Sequence, residues 1–173
     1  FSITRKIYVP SDQGYARYLE IVTNNGSSTA AYTVTINTNL GSDSGTNLVA
    51  TSSGDSNFTA ADNWIVTDDF NGGGDPTMLH VISGANAAVR PASASRSADN
   101  LAYSYPLTLA AGETRIVMHF AAQSPTQADA LSKAPLLENL QLNALNGMTQ
   151  SERAQVVNFY VGDPLDVYLV SAL

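Results

Sequence analysis

The chain has 173 residues and a formal charge of −7, from 15 Asp+Glu against 8 Lys+Arg. Asp, Asn, Ser, Thr and Gly together supply 70 of those residues, which is the chemistry of turns, caps and strand faces rather than of long solvated helices. Helical bundles and coiled coils are excluded on that ground, and the negative balance argues against nucleic acid and anionic lipid as partners while leaving cations open.

With 44% hydrophobic and only 13% charged residues the chain can bury a core. The absence of cysteine removes disulfides, thiolate zinc sites and cysteine nucleophiles together. No apolar run approaches the ~20 residues needed to span a bilayer, so membrane insertion is not expected. The chain opens Phe1-Ser2-Ile3-Thr4, with neither an initiator Met nor a signal peptide, and is read as a processed piece of a longer protein. An acidic, Lys-poor, cysteine-free and Thr/Asn-rich composition suits a secreted or cell-surface bacterial module.

Up to about residue 122 the dominant signal is period-two alternation between turn clusters. Ile3, Arg5, Ile7 and Val9 alternate with polar neighbours and stop at Pro10-Ser11-Asp12-Gln13-Gly14. Over 15–23, Tyr15, Arg17, Leu19 and Ile21 share one face of a strand, with Ala16, Tyr18, Glu20 and Val22 on the other. Asn24-Asn25-Gly26 reads as a hairpin turn because Asn and Gly tolerate positive φ. A third strand follows at 31–37, then strands at 48–52, 63–66, 78–83, 101–109 and 114–122, with Gly/Asp-rich loops at 41–47 and 68–76. This spacing, without long helices between strands, predicts a mostly β fold: an antiparallel β-sandwich with Greek-key connections, immunoglobulin-like or jelly-roll-like, over residues 1–123.

The remainder changes character. Residues 126–134 and 136–144 carry helical spacing broken at Pro135, and Thr149-Gln150-Ser151-Glu152 has the capping-box pattern ahead of a stripe of Ala154, Val157 and Val161. Residues 124–160 are therefore expected as a short C-terminal helical segment packed on the sandwich or linking to the next module. Residues 161–173 are expected as an extended apolar segment, Val167-Tyr168-Leu169-Val170, suited to pairing with another sheet.

The strongest chemical feature is Thr67-Asp68-Asp69-Phe70-Asn71-Gly72-Gly73-Gly74-Asp75-Pro76. Calcium needs six to eight oxygens, and acidic side chains near alternate positions of a Gly-rich loop can converge on one ion. Asp68, Asp69, Asn71 and Asp75 are the candidate ligands; the competing reading is an ordinary turn in which Asp and Asn cap backbone amides. Gly41-Ser42-Asp43-Ser44-Gly45 resembles the surroundings of a serine-protease nucleophile, but His80 and His119, the only histidines, lie inside apolar strand runs, so no catalytic residue is assigned and an enzyme is not expected. As a metal pair the two imidazoles lack a third ligand, and structural roles are favoured. Tyr103 and Tyr105 share one face of a strand and could stack sugars, although large aromatics also fill β cores. Lys6 could form an isopeptide bond with an Asn, and Asn25-Gly26-Ser27 and Asn57-Phe58-Thr59 match the glycosylation sequon.

Several phrases occur together in order: Arg5-Lys6-Ile7-Tyr8-Val9-Pro10 before Ala16-Arg17-Tyr18-Leu19-Glu20; Asn39-Leu40-Gly41-Ser42-Asp43-Ser44; Thr51-Ser52-Ser53-Gly54-Asp55; Trp64-Ile65-Val66-Thr67-Asp68-Asp69; Gly74-Asp75-Pro76 before Leu79-His80-Val81; and Met118-His119-Phe120-Ala121. In these the chain resembles a poorly characterised accessory module of large secreted or surface-anchored bacterial proteins, over most of residues 3–123. The resemblance implies an extracellular β-sandwich and supplies no activity. The function expected is that of a non-catalytic structural or adhesive module with calcium as its candidate cofactor, and its expected partners are neighbouring modules or subunits of the same protein. The alternatives are a carbohydrate-binding module that meets surface glycans through its tyrosines, and a fibre subunit assembling by strand addition.

Overall fold

Strands with one apolar face can bury it only against another layer. The computed structural model describes residues 1–41, 45–69 and 75–162, and among these residues the alternation resolves into nine strands in two antiparallel sheets. The strands are β1 (Ser2–Tyr8), β2 (Tyr15–Thr23), β3 (Ala30–Asn39), β4 (Thr46–Thr51), β5 (Trp64–Asp69), β6 (Thr77–Val81), β7 (Ser93–Ser97), β8 (Asn100–Leu109) and β9 (Thr114–Ser124). One sheet has six strands in the order β1-β2-β9-β6-β5-β4, and the other three in the order β3-β8-β7. Strands β4, β5 and β6 form a meander, whereas the connections β2–β3, β3–β4, β6–β7 and β8–β9 pass between sheets.

The two faces of the six-stranded sheet bury different cores. Val22, Ile65, Ile82 and Val117 meet Val34, Ile36, Leu101, Tyr103, Tyr105 and Leu107 of the smaller sheet. Leu19, Leu79, Ile116, Met118 and Phe120 meet Ala130, Ala134 and Leu137 of helix α1 (Gln127–Glu138) and the tail beyond it. The division of β2 into Tyr15/Arg17/Leu19/Ile21 and Tyr18/Glu20/Val22 faces thus becomes a division between helical layer and second sheet. Among the described residues no helix is long and apolar enough to cross a membrane.

The tail differs from its expected form in three places. Pro135 lies inside α1 rather than breaking it; it is exposed, so the carbonyl it leaves unpaired can face water. The helix ends three residues later at Glu138, and Leu140, Leu142 and Asn143 then take positive φ through a series of turns. Helix α2 (Gln150–Gln155) has the capping box of Thr149 and Glu152 but stops short of Val157. The reason is tertiary: β6 pairs with β9 only from Phe120 onward, leaving the backbone at Ile116 and Met118 without a strand partner on that side. Val156 bridges to Ile116, Val157 donates to the Ile116 carbonyl, and the buried Asn158 side chain bonds both backbone groups of Met118.

The turns at 140–147 have no regular pairing of their own, and side chains supply it. The Leu142 carbonyl accepts from Tyr15 at 2.9 Å, and those of Ala144 and Asn146 accept from Arg17 at 2.6 and 2.8 Å. Arg153 reaches Leu145 and Lys6 reaches Gly147. Arg17 is 0% exposed and lies 4.9 Å from the Tyr8 ring centroid, so a buried cation here serves carbonyl oxygens and an aromatic face instead of a carboxylate.

Two further differences affect where polar residues fall. Strand β5 runs on to Asp69, so Asp68 and Asp69 are strand residues rather than loop residues. Strand β7, Ser-Ala-Ser-Arg-Ser, has no apolar alternation to announce it and forms by pairing with β8 at the edge of the smaller sheet.

Candidate functional site

The smaller sheet does not cover the whole inner face of the larger one. At its margin a row of side chains crosses β2, β9 and β6 in register, because Ala16 pairs with Ala121 and Ala121 with His80. Tyr18 and His119, paired on β2 and β9, form the next row. Three contiguous hollows follow this uncovered strip, all lined by Tyr18 and Ala121: about 340 Å³ toward Asn39 and Asp75, about 140 Å³ under Ile36 and Tyr103, and about 360 Å³ toward Val9 and Gly14.

A hydrogen-bonded chain of ionisable groups borders the middle hollow. Tyr103 Oη lies 3.0 Å from His119 Nδ1, and His119 Nε2 lies 3.0 Å from Glu20 Oε1. The same Glu20 oxygen accepts from Arg5 Nε at 2.8 Å. Burial raises the Tyr103 hydroxyl well above its ordinary range, so it stays protonated and donates. Burial also lowers His119, against the pull of Glu20. A neutral His119 that carries its proton on Nε2 satisfies both neighbours, accepting from Tyr103 and donating to Glu20. Desolvation would raise the Glu20 carboxyl, but hydrogen bonds and charge from His119 and Arg5 outweigh it and hold it below the ordinary glutamate range. The Tyr18 ring is flanked by His119, stacked at 4.8 Å, and by the Arg5 guanidinium 5.7 Å from its centroid.

His80 is the exception in this ordered set. It is 4% exposed, lines two of the hollows, and its Nδ1 has no hydrogen-bond partner among the described residues. Burial, with a smaller contribution from the charge of His119, pushes it down to about 4.

The residues singled out from the sequence scatter around this strip. Tyr103 and Tyr105 are 1% and 0% exposed; their rings pack edge to face in the inter-sheet core, and the Tyr105 hydroxyl bonds the Ile82 carbonyl. They offer no exposed ring face, which corrects the expected sugar-stacking platform: on β8 their face is the one turned to the larger sheet. Asp68 is buried, and its Oδ2 accepts from Thr77 Oγ1 at 3.0 Å and from Gln127 Nε2 at 2.8 Å. That carboxylate ties β5 to β6 and α1. Asp69 has a buried, unpartnered Oδ1, Asp75 is exposed, and Asn71 lies outside the described residues, as do most of 41–45 and all of 163–173. Among the described residues no three metal-ligating side chains converge. Asp62, another member of the Asp-rich region, is consumed locally by Ser53 N at 3.0 Å and Thr59 N at 2.8 Å.

Lys6 Nζ bonds Glu152 at 2.8 Å and the Gly147 carbonyl at 3.1 Å, so its ammonium is engaged by a carboxylate and a backbone carbonyl. Asn25 and Asn57 of the two sequons are exposed. The two histidines do share one face of adjacent strands, on a diagonal. What sequence reading lacked was Glu20 and Arg5 beside them; the only signal was that Glu20 and Tyr18 fall on the same β2 face. No family model matches the chain, and no curated protein matches it.

Proposed function

We propose that the chain is a non-catalytic structural or adhesive module of a secreted or surface-anchored bacterial protein, joined to neighbouring modules or subunits through the edge of its larger sheet. The observation that carries this reading is strand β1, which ends the six-stranded sheet. Ile3 and Ile7 of β1, with Val9 just past its end, are 55%, 54% and 66% exposed, beside backbone groups that among the described residues pair with β2 on one side only. Lys and Arg usually guard such an edge. Here both are drawn back onto the protein, Arg5 to Glu20 and Lys6 to Glu152, so the apolar side chains of this edge are left exposed.

The test is association of the chain with itself. Light scattering and analytical ultracentrifugation over a hundredfold concentration range should show assembly that Ile7→Lys abolishes with an unchanged melting temperature; a monomer throughout, or assembly indifferent to Ile7→Lys, refutes the edge as the joint. Calcium belongs to the proposal as a ligand of Asp69 and Asp75. Binding to the folded state stabilises it by mass action, so the melting temperature should rise by several degrees in millimolar calcium and fall back with chelator.

A further inference from the structure

The strip between the sheets offers more than a gap in packing. We propose that it is a binding site for a neutral, hydroxyl-rich ligand, the end of a saccharide chain, with His80 at its inner end and Asp69 at its mouth. The site is separate from the β1 edge and does not depend on that edge being a joint.

Four observations select this chemistry. First, among the described residues the hollow of about 340 Å³ is lined by three carboxylates, Asp68, Asp69 and Asp75, and by no Lys or Arg; Arg5, which lines the neighbouring hollow, is held by Glu20. An anionic ligand would meet only repulsion there. Second, the apolar Pro76, Met78 and Ala121 line the same hollow beside the carboxylates, which suits a ligand that carries C–H as well as hydroxyl groups. Third, the remaining polar lining is uncharged and can both donate and accept: the Thr38 hydroxyl, the Gln123 amide and neutral His80. Hydroxyl groups, which also do both, are the ligand groups that fit such a lining.

Fourth, two buried polar atoms have no partner and stand well apart. His80 Nδ1 and Asp69 Oδ1 are both unpaired among the described residues. His80 pairs across with Ile65, and Asp69 lies four residues further along the same strand, about 13 Å at the usual strand rise. A single ammonium at Asp69 would leave His80 unpaired. An extended run of hydroxyls satisfies both, donating to the carboxylate at the mouth and to the imidazole within. The hollows of about 340 and 140 Å³ meet at His80, Tyr18, Thr38 and Ala121, and their combined size lies in the range of small-ligand sites. Met78 and Pro76 supply the apolar patch on which the C–H face of a ring can rest.

The test is titration of the intact chain with a panel of neutral mono- and disaccharides and with ethanolamine, read by calorimetry and by the ¹H–¹⁵N resonances of the histidine rings at pH 7. At least one saccharide is expected to saturate, with the His80 ring resonance moving and ethanolamine silent. Thr38→Val and Gln123→Ala, both at the rim and making no side-chain hydrogen bond among the described residues, should each weaken binding roughly fivefold, the worth of one hydrogen bond, with unchanged melting. Failure of every saccharide to saturate, affinity indifferent to both rim variants, or saturation by ethanolamine alone would overturn the proposal. The Ile7→Lys chain should bind as the wild type does, which separates this result from the fate of the edge-strand reading.

Discussion

Acidification is the perturbation for which the structure makes the most specific demand. His80 is buried between the sheets and pushed down to about 4, while an unfolded histidine titrates near 6.5. A base whose native pKa is depressed is held neutral by the fold. Its contribution is intact above 6.5 and is lost as the pH falls from 6.5 toward 4, because the unfolded chain takes up the proton first. With a difference of about 2.5 units, the loss is about 2 kcal/mol at pH 5 and about 3 kcal/mol at pH 4. For a chain of this length 2 kcal/mol corresponds to a fall in melting temperature of about 4–8 °C. His119, also lowered by burial, loses stability in the same direction, so the His80 share has to be isolated. Urea unfolding at pH 7 and pH 5 does this if His80→Gln is run beside the wild type: the variant starts lower but declines about 2 kcal/mol less. The NMR titration of the wild-type His80 ring is the independent check. A ring that titrates near 6.5, or parallel pH slopes for the two chains, would show that the imidazole is solvated and the reasoning wrong.

Other expectations test the remaining polar contacts. Glu20→Gln should cost about 2 kcal/mol at pH 7, less than a fully buried pair because Arg5 can turn to water; since the Glu20 carboxyl is held low, the deficit should shrink as the pH falls below the ordinary glutamate range, and a constant deficit would count against the ion pair. Arg17→Leu removes the donor to the Ala144 and Asn146 carbonyls and should cost about 3 kcal/mol, with faster amide exchange confined to residues 140–148. Thr149→Ala should cost about 1 kcal/mol through loss of the capping box, measured by thermal unfolding; no change would mean that α2 is held by packing alone.

Alternation between apolar and polar residues was enough to place eight of the nine strands, the two faces of β2, and the mostly β, two-sheet architecture, because period-two burial is a local property of the chain. The capping box at Thr149 was legible for the same reason. Strand β7 was not: Ser93–Ser97 buries almost nothing and is a strand only because β8 offers it an edge. Pro135 sits inside α1 against its local pattern because its cost depends on whether the orphaned carbonyl meets solvent, which no local pattern records. The Asp-rich region shows the limit most clearly. As sequence it is one acidic concentration, but tertiary contacts divide it: Asp62 caps its own turn, Asp68 anchors α1, and Asp69 faces the hollow between the sheets. The tyrosine pair met the same fate, since strand periodicity says which residues share a face but not whether a second sheet covers it. What the sequence determined by itself was the repertoire of strands and the sides they present. Which sides are covered, which histidine finds partners, and where a strip of sheet stays open were decided by the mismatch between a six-stranded sheet and the three-stranded one laid on it.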